Sequence, residues 1–294
     1  MTMNMTDSPN HVDLIHDELH LTRPYRLWYK IITAGKPIVV LVHGAVVPLL
    51  KPNYLHEPKT INNEKYCFYN LEYLLYHDDK LHYNVFTFEY ADWPILDFGS
   101  VNYHDLEQYG KCLIEAIRFV KARSKNGGGS VGPIYVIAHS MGGLVARYAV
   151  QNPKVEKVDK IITLDTGHHG FKLANIVDDL FLDKLTELVP TPTFCVKNAE
   201  EGSAFVKDLN NKFDKCPPLV SLAALKKVDS SSLPKGLPPI EPVLVVEPQS
   251  SNMGLEVYPL KNYDHVTISQ IKGTNHKAYQ IIKEVIGKDS VDKN

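Results

Sequence analysis

The residues of this chain best arranged to do chemistry run Val136-Ile137-Ala138-His139-Ser140-Met141-Gly142-Gly143-Leu144-Val145-Ala146-Arg147-Tyr148. A β-branched run enters a tight turn and leaves it as a helix, with Ser140 at the apex and a small residue two positions to either side. Such a turn lifts the serine oxygen clear of the backbone, while Ala138 and Gly142 avoid clashes inside the bend and Gly143 lets helix and strand approach closely. The helix N-terminus directs partial positive charge and free N–H groups at any oxyanion formed beside the serine. A serine that merely capped a buried helix would need no more than Ser-x-Gly. The strand before it and the helix after it point instead to a nucleophile of acyl transfer.

The run Ala-His-Ser-Met-Gly-Gly-Leu-Val-Ala-Arg-Tyr resembles the nucleophile elbow of small α/β-hydrolase lipases, including those with Ala in place of the first Gly of the pattern. Two neighbouring segments strengthen the resemblance. Val40-Leu41-Val42-His43-Gly44 is similar to the oxyanion strand and loop of those families, and Lys160-Ile161-Ile162-Thr163-Leu164-Asp165-Thr166-Gly167-His168-His169-Gly170 to their Thr-Leu-Gly-Thr-Pro-His-His-Gly segment. The resemblance covers roughly Pro37 to Gly170 and returns near His265. It implies an α/β-hydrolase fold, a mostly parallel sheet flanked by helices. It also implies an oxyanion hole made by the backbone N–H groups of Met141 and Ala45.

That fold orders its catalytic members Ser, acid, His along the chain. The histidines well beyond Ser140 are His168, His169, His265 and His276. His265 lies in Asn262-Tyr263-Asp264-His265-Val266-Thr267-Ile268, just after the apolar run Leu255–Leu260, where the loop bearing the base belongs. His276 begins a helix, and His168 and His169 fall in a loop where they would pack. The acid is open between two residues. Lipases of this type usually carry Asp a few positions past the seventh strand, where this chain offers only Glu247 after Val243–Val246. Asp165 ends the strand Lys160–Leu164, and a carboxylate in that poorly solvated crevice needs a partner such as an imidazole. Asp165 is placed in the triad, with Glu247 as its alternative and Asp264 as a third candidate.

The elements that must hold these residues are short apolar runs alternating with helical patterns. The runs are Tyr25–Thr33, Pro37–Val42, Asn84–Glu89, Pro133–Ala138, Lys160–Leu164, Val243–Val246 and Leu255–Leu260. The helical stretches are Glu64–His77, His104–Ala122, Met141–Gln151 and Asn275–Ile286. Solid blocks such as Ile38-Val39-Val40-Leu41-Val42 suit a parallel sheet covered on both faces, joined by right-handed crossovers. The rhythm breaks between Phe171 and Pro242, where apolar residues from Leu173 to Val189 fall at helical spacing and no strand is evident. Residues 171–242 therefore read as a helical cap inserted between strands 6 and 7 of the hydrolase sheet, within one α/β domain spanning 1–294. The glycine-rich segment from Lys125 to Pro133 lacks the Gly-Lys-Ser/Thr ending of a phosphate loop.

Composition narrows the partners. A formal net charge of −2 offers no electrostatic case for nucleic acid or an anionic membrane as the main partner. The polar segment Met1–Leu21 has no cationic start and apolar core of a signal peptide, and no window reaches the ~18 apolar residues of a spanning helix. An intracellular location is expected. Cys67, Cys112, Cys195 and Cys216 show no metal-ligand spacing; buried free thiols are the default, with a Cys195–Cys216 pair as the alternative. No metal or organic cofactor is expected, and the substrate read from the cap is a small-molecule or lipid ester, with transient contact to a lipid surface. Three rival readings share the same residues: acyl transfer, thioester or lactone cleavage, and a hydrolase-fold ligand sensor.

Overall fold

The computed structural model describes residues 25–29, 33–44, 68–78, 82–90, 105–125, 130–155, 157–171, 198–232, 241–254 and 256–291. Its strands are β1 Tyr25–Tyr29, β2 Ile38–Val42, β3 Asn84–Tyr90, β4 Ile134–His139, β5 Lys160–Leu164, β6 Leu219–Ala224 and β7 Glu256–Leu260. They form one sheet in the order β1-β3-β2-β4-β5-β6-β7. β1 pairs antiparallel with β3, and every other neighbouring pair is parallel. The described helices are α1 Tyr69–Tyr76, α2 Leu106–Lys125, α3 Gly142–Val150, α4 Ala204–Asn211, α5 Pro248–Ser251 and α6 Lys277–Val291.

The continuous apolar runs are strands buried on both faces. Every residue of β2 and of β4 is buried. Alternate side chains serve two cores. Val40, Val42, Phe86, Phe88, Val136 and Ala138 pack with Leu113, Ile117 and Val120 of α2 and Leu144 and Val145 of α3. Val39, Leu41, Val85, Ile137, Ile162 and Leu222 pack on the other face with Leu71 and Leu75 of α1 and Ile281, Ile282 and Val285 of α6. In α2 Leu106, Tyr109, Leu113, Ala116, Ile117 and Val120 form one buried face. Each such aliphatic side chain contributes roughly 1.5–3 kcal/mol by leaving water. The mostly parallel α/β-hydrolase sheet expected from the sequence is present.

Two expectations need correction. No sheet strand forms over Val243–Val246; Val243 makes only a single antiparallel bridge with Val228. The sheet position next to β5 belongs to Leu219–Ala224, inside the stretch read as a cap without strands. The sequence Leu-Val-Ser-Leu-Ala-Ala hides it, because serine and two alanines carry weak strand propensity. Only the sheet's hydrogen bonds and the two cores pull it in. The insertion expected over 171–242 is thus divided by β6, and the amphipathic stretch Leu173–Val189 lies outside the described residues.

Candidate active site

The site forms at the carboxyl ends of β4, β5 and β6, where open parallel sheets bind their ligands. Ser140 directly follows β4 with φ 54°, in the left-handed region that costs an L-residue about 1–2 kcal/mol. Backbone hydrogen bonds hold it there: its N–H donates to Leu164 O at 2.9 Å, and its carbonyl accepts from Gly143 N at 3.0 Å and from the Thr166 hydroxyl at 2.9 Å. The turn leaves no room for side chains beyond it. A Cβ on Gly142 would sit 2.1 Å from His43 O, and one on Gly143 would sit 2.1 Å from Thr166 Oγ1. Only hydrogen fits at both positions.

Asp165 follows β5 and also has positive φ, 47°. Its side chain is 2% exposed. Asp165 Oδ1 accepts the Ala224 N–H at the end of β6 at 3.0 Å, and Oδ2 lies 2.8 Å from His265 Nδ1. On the other side of the ring, His265 Nε2 lies 2.9 Å from Ser140 Oγ. The partners assign the tautomer. A carboxylate can only accept, so Nδ1 carries the proton, and the bare Nε2 accepts from the Ser140 hydroxyl. Ser140, His265 and Asp165 therefore form one hydrogen-bonded chain, drawn from three places in the sequence.

The remaining candidates are placed as follows. Glu247 stands at the N-terminus of α5, where its carbonyl accepts from Ser250 and Ser251 N–H; the His265 Nδ1 position belongs to Asp165. Asp264 is 1% exposed, accepts the N–H groups of Val266 and Thr267 through Oδ1 and receives the Ser232 hydroxyl at Oδ2. Met141 opens α3, so the helical ladder makes no demand on its amide. Ala45 lies outside the described residues. His168 is fully buried with Nε2 3.0 Å from Thr163 Oγ1 and 3.4 Å from Ser221 Oγ, stitching β5 to β6. His276 precedes α6 and bonds Thr267 O at 3.2 Å. Among the described residues, no group of three or more His, Cys, Asp or Glu side chains is arranged to hold a metal ion.

Two residues of the elbow run have roles that the run itself does not reveal. Arg147 is fully buried in α3, and among the described residues its acceptors are two carbonyls and an amide oxygen: Nη1 donates to His168 O at 3.1 Å, and Nη2 to Leu209 O and Asn210 Oδ1 at 3.0 Å. It ties α3 to the loop after β5 and to the C-terminal end of α4, where carbonyl dipoles favour a cation. Burial pushes its pKa down to about 10, still far above neutrality. His139 is pushed down to about 3, first by burial and then by the neighbouring His265 and His43, so it is neutral at physiological pH. Arginine is ordinarily an exposed residue, so a fully buried one in a helix offers no sequence signal.

Sheet order, turn and hydrogen-bonded chain together define the α/β-hydrolase class. The chain belongs to the PGAP1-like alpha/beta domain family, whose profile matches residues 38–207. No curated relative matches the sequence. Among solved structures, the mature lipase BlEst2 of Bacillus licheniformis aligns over 89% of this chain and 97% of its own, with 16% identity and a TM-score of 0.54. A soluble variant of monoglyceride lipase from Saccharomyces cerevisiae, in complex with a substrate analog, aligns over 92% and 91%, with 14% identity and a TM-score of 0.53. The siderophore hydrolase EstB of Aspergillus fumigatus aligns over 92% and 96%, with 12% identity and a TM-score of 0.50. At these identities the likeness is one of fold.

Proposed function

We propose that this protein is a serine hydrolase that cleaves carboxylic esters through a Ser140–His265–Asp165 triad. The observation that carries the reading is the relay itself, with 2.9 Å from Ser140 Oγ to His265 Nε2 and 2.8 Å from His265 Nδ1 to Asp165 Oδ2. His265 takes the serine proton as Ser140 attacks the ester carbonyl, and Asp165 steadies the imidazolium that forms. The amides of Met141 and, by resemblance, Ala45 receive the oxyanion. The imidazolium then protonates the leaving alcohol, and water activated by His265 releases the acid from the acyl-enzyme. Two lipases among the structural neighbours support a small-molecule or lipid ester as substrate.

Hydrolysis of p-nitrophenyl esters from acetate to palmitate by wild type and Ser140→Ala tests this directly. The expected result is turnover by the wild type that drops about 10⁴-fold or more in the variant. A Ser140→Ala protein that keeps wild-type turnover, or a wild type inert on every ester, sinks the proposal.

A further inference from the structure

The loop that carries His265 is gripped on one rigid group. The peptide unit between His265 and Val266 is bonded at both ends: its carbonyl, His265 O, lies 2.8 Å from His139 Nε2, and its amide, Val266 N, donates to Asp264 Oδ1 at 3.0 Å. Because a peptide is planar, two bonds on opposite edges fix its orientation and thereby the backbone torsion next to the His265 side chain. His139 adds a second contact, its ring packing 4.9 Å from the His265 ring, centroid to centroid. Asp264 is itself anchored: Oδ1 also accepts Thr267 N at 2.9 Å, and Oδ2 receives Ser232 Oγ at 2.7 Å with Lys226 Nζ at 3.7 Å.

We infer that His139 and Asp264 are positioning residues that clamp the His265–Val266 peptide and so hold the imidazole between Ser140 and Asp165. The inference rests on the hydrolase reading above. His139 immediately precedes Ser140, so the clamp ties the base loop to the strand that carries the nucleophile, and the two move as one body. A carbonyl partner requires the proton of the neutral His139 ring to sit on Nε2. Desolvation keeps that ring neutral, which leaves it a fixed donor across the working pH range.

The test compares full-length variants in p-nitrophenyl ester turnover and in labelling by a fluorophosphonate, in which the Ser140 oxygen displaces fluoride from phosphorus. His139→Phe keeps a ring against His265 and removes the donor. His139→Gln restores a donor without the ring. Asp264→Ala removes the other grip. His139→Phe is expected to lower kcat and the labelling rate about 10- to 100-fold with KM changed less than about 3-fold, the cost of a misplaced base. His139→Gln should recover to within about 3-fold of wild type, and the double variant His139→Phe/Asp264→Ala should be less impaired than the product of the single losses, since both grips serve one peptide. Rates are referred to the folded fraction seen by circular dichroism. A His139→Phe protein labelled as fast as wild type, or a His139→Gln protein as slow as His139→Phe, overturns the clamp. Ser140→Ala, run alongside, separates the two failures: if it is inert, loss of the clamp leaves the hydrolase reading standing, and if it is active, the hydrolase reading itself has failed.

Discussion

The two halves of the site are built in opposite ways. The serine side, where the proposed nucleophile sits, is continuous in sequence: β4, the turn at Ser140 and α3 occupy residues 134–150 without interruption. The relay side is assembled across the chain, since His265 meets Asp165 and Ser140 over separations of 100 and 125 residues. The first half takes its shape from local sterics, a strained turn followed by Gly142 and Gly143, where an added Cβ would clash. The second takes its shape from strand register. Ser140 N is bound to Leu164 O, Asp165 N to Leu222 O, and the Asp165 carboxylate to Ala224 N, so each strand end sets the position of the next. Local geometry places Ser140; the sheet places the histidine and the carboxylate that are hydrogen-bonded to it in series.

This contrast can be attacked from either side. The largest expected effect lies in the relay. Asp165→Asn should lower kcat about 10⁴-fold by stabilising the wrong imidazole tautomer, while Glu247→Gln should stay within about 2-fold of wild type. Steady-state ester hydrolysis by the two variants decides it, and equal losses would return the acid to open competition. On the nucleophile side, Arg147→Met should cost roughly 3 kcal/mol, because the acceptors at His168, Leu209 and Asn210 lose a charged donor in a buried place. Lys212→Met, just past the C-terminus of α4, removes an exposed ion pair with Asp208 and should cost no more than about 0.5 kcal/mol. Urea melts of the two variants measure the difference.

Gly143→Ala sharpens the steric half of the contrast. The new methyl meets Thr166 Oγ1, and a loss of about 2 kcal/mol in a urea melt is expected. Combining it with Thr166→Ser, which removes a methyl from the same wall, should recover part of that loss. A further effect concerns pH. His139, pushed down to about 3, and His168, held well below the usual range chiefly by burial, stay neutral in the fold. In the unfolded chain each binds a proton near pH 6.5. The unfolded state therefore gains protons first as pH falls, so this stability is present above pH 6.5 and is lost progressively toward the folded pKa. Each histidine should contribute about 1.4 kcal/mol of loss between pH 7.5 and 5.5. Urea midpoints at the two pH values check the sum, and His168→Asn should shrink the difference by the share of one histidine.

The legibility of the sequence follows the same division. Ser140 and its turn could be read directly, because a strand, a turn and a helix with small residues at fixed offsets form a contiguous pattern. His265 was readable by its order after the run that became β7. The acid was read less directly: its poorly solvated crevice places Asp165 in the triad, with Glu247 left as the alternative. Glu247 competes because Val243–Val246 reads as a strand; the strand that follows β5 is β6, which ends at Ala224, so Glu247 does not follow a strand of the sheet. Asp264 stood out only as a neighbour of His265, and its grip on Val266 and Thr267 depends on a turn that no spacing rule announces.

The sequence by itself determined the alternation of buried strands and helices, the position of the sharp turn and the residue at its apex, because these depend on hydrophobic period and on what fits within a few bonds. Tertiary structure alone decided that Leu219–Ala224 joins the sheet, that the buried Arg147 ties α3 to α4 through carbonyl and amide oxygens, and that Asp165 rather than Glu247 lies beside His265. Those outcomes depend on which distant groups are desolvated together. A carboxylate or guanidinium in a buried crevice must find its partner there, and the identity of that partner exists only once the strands have taken their register.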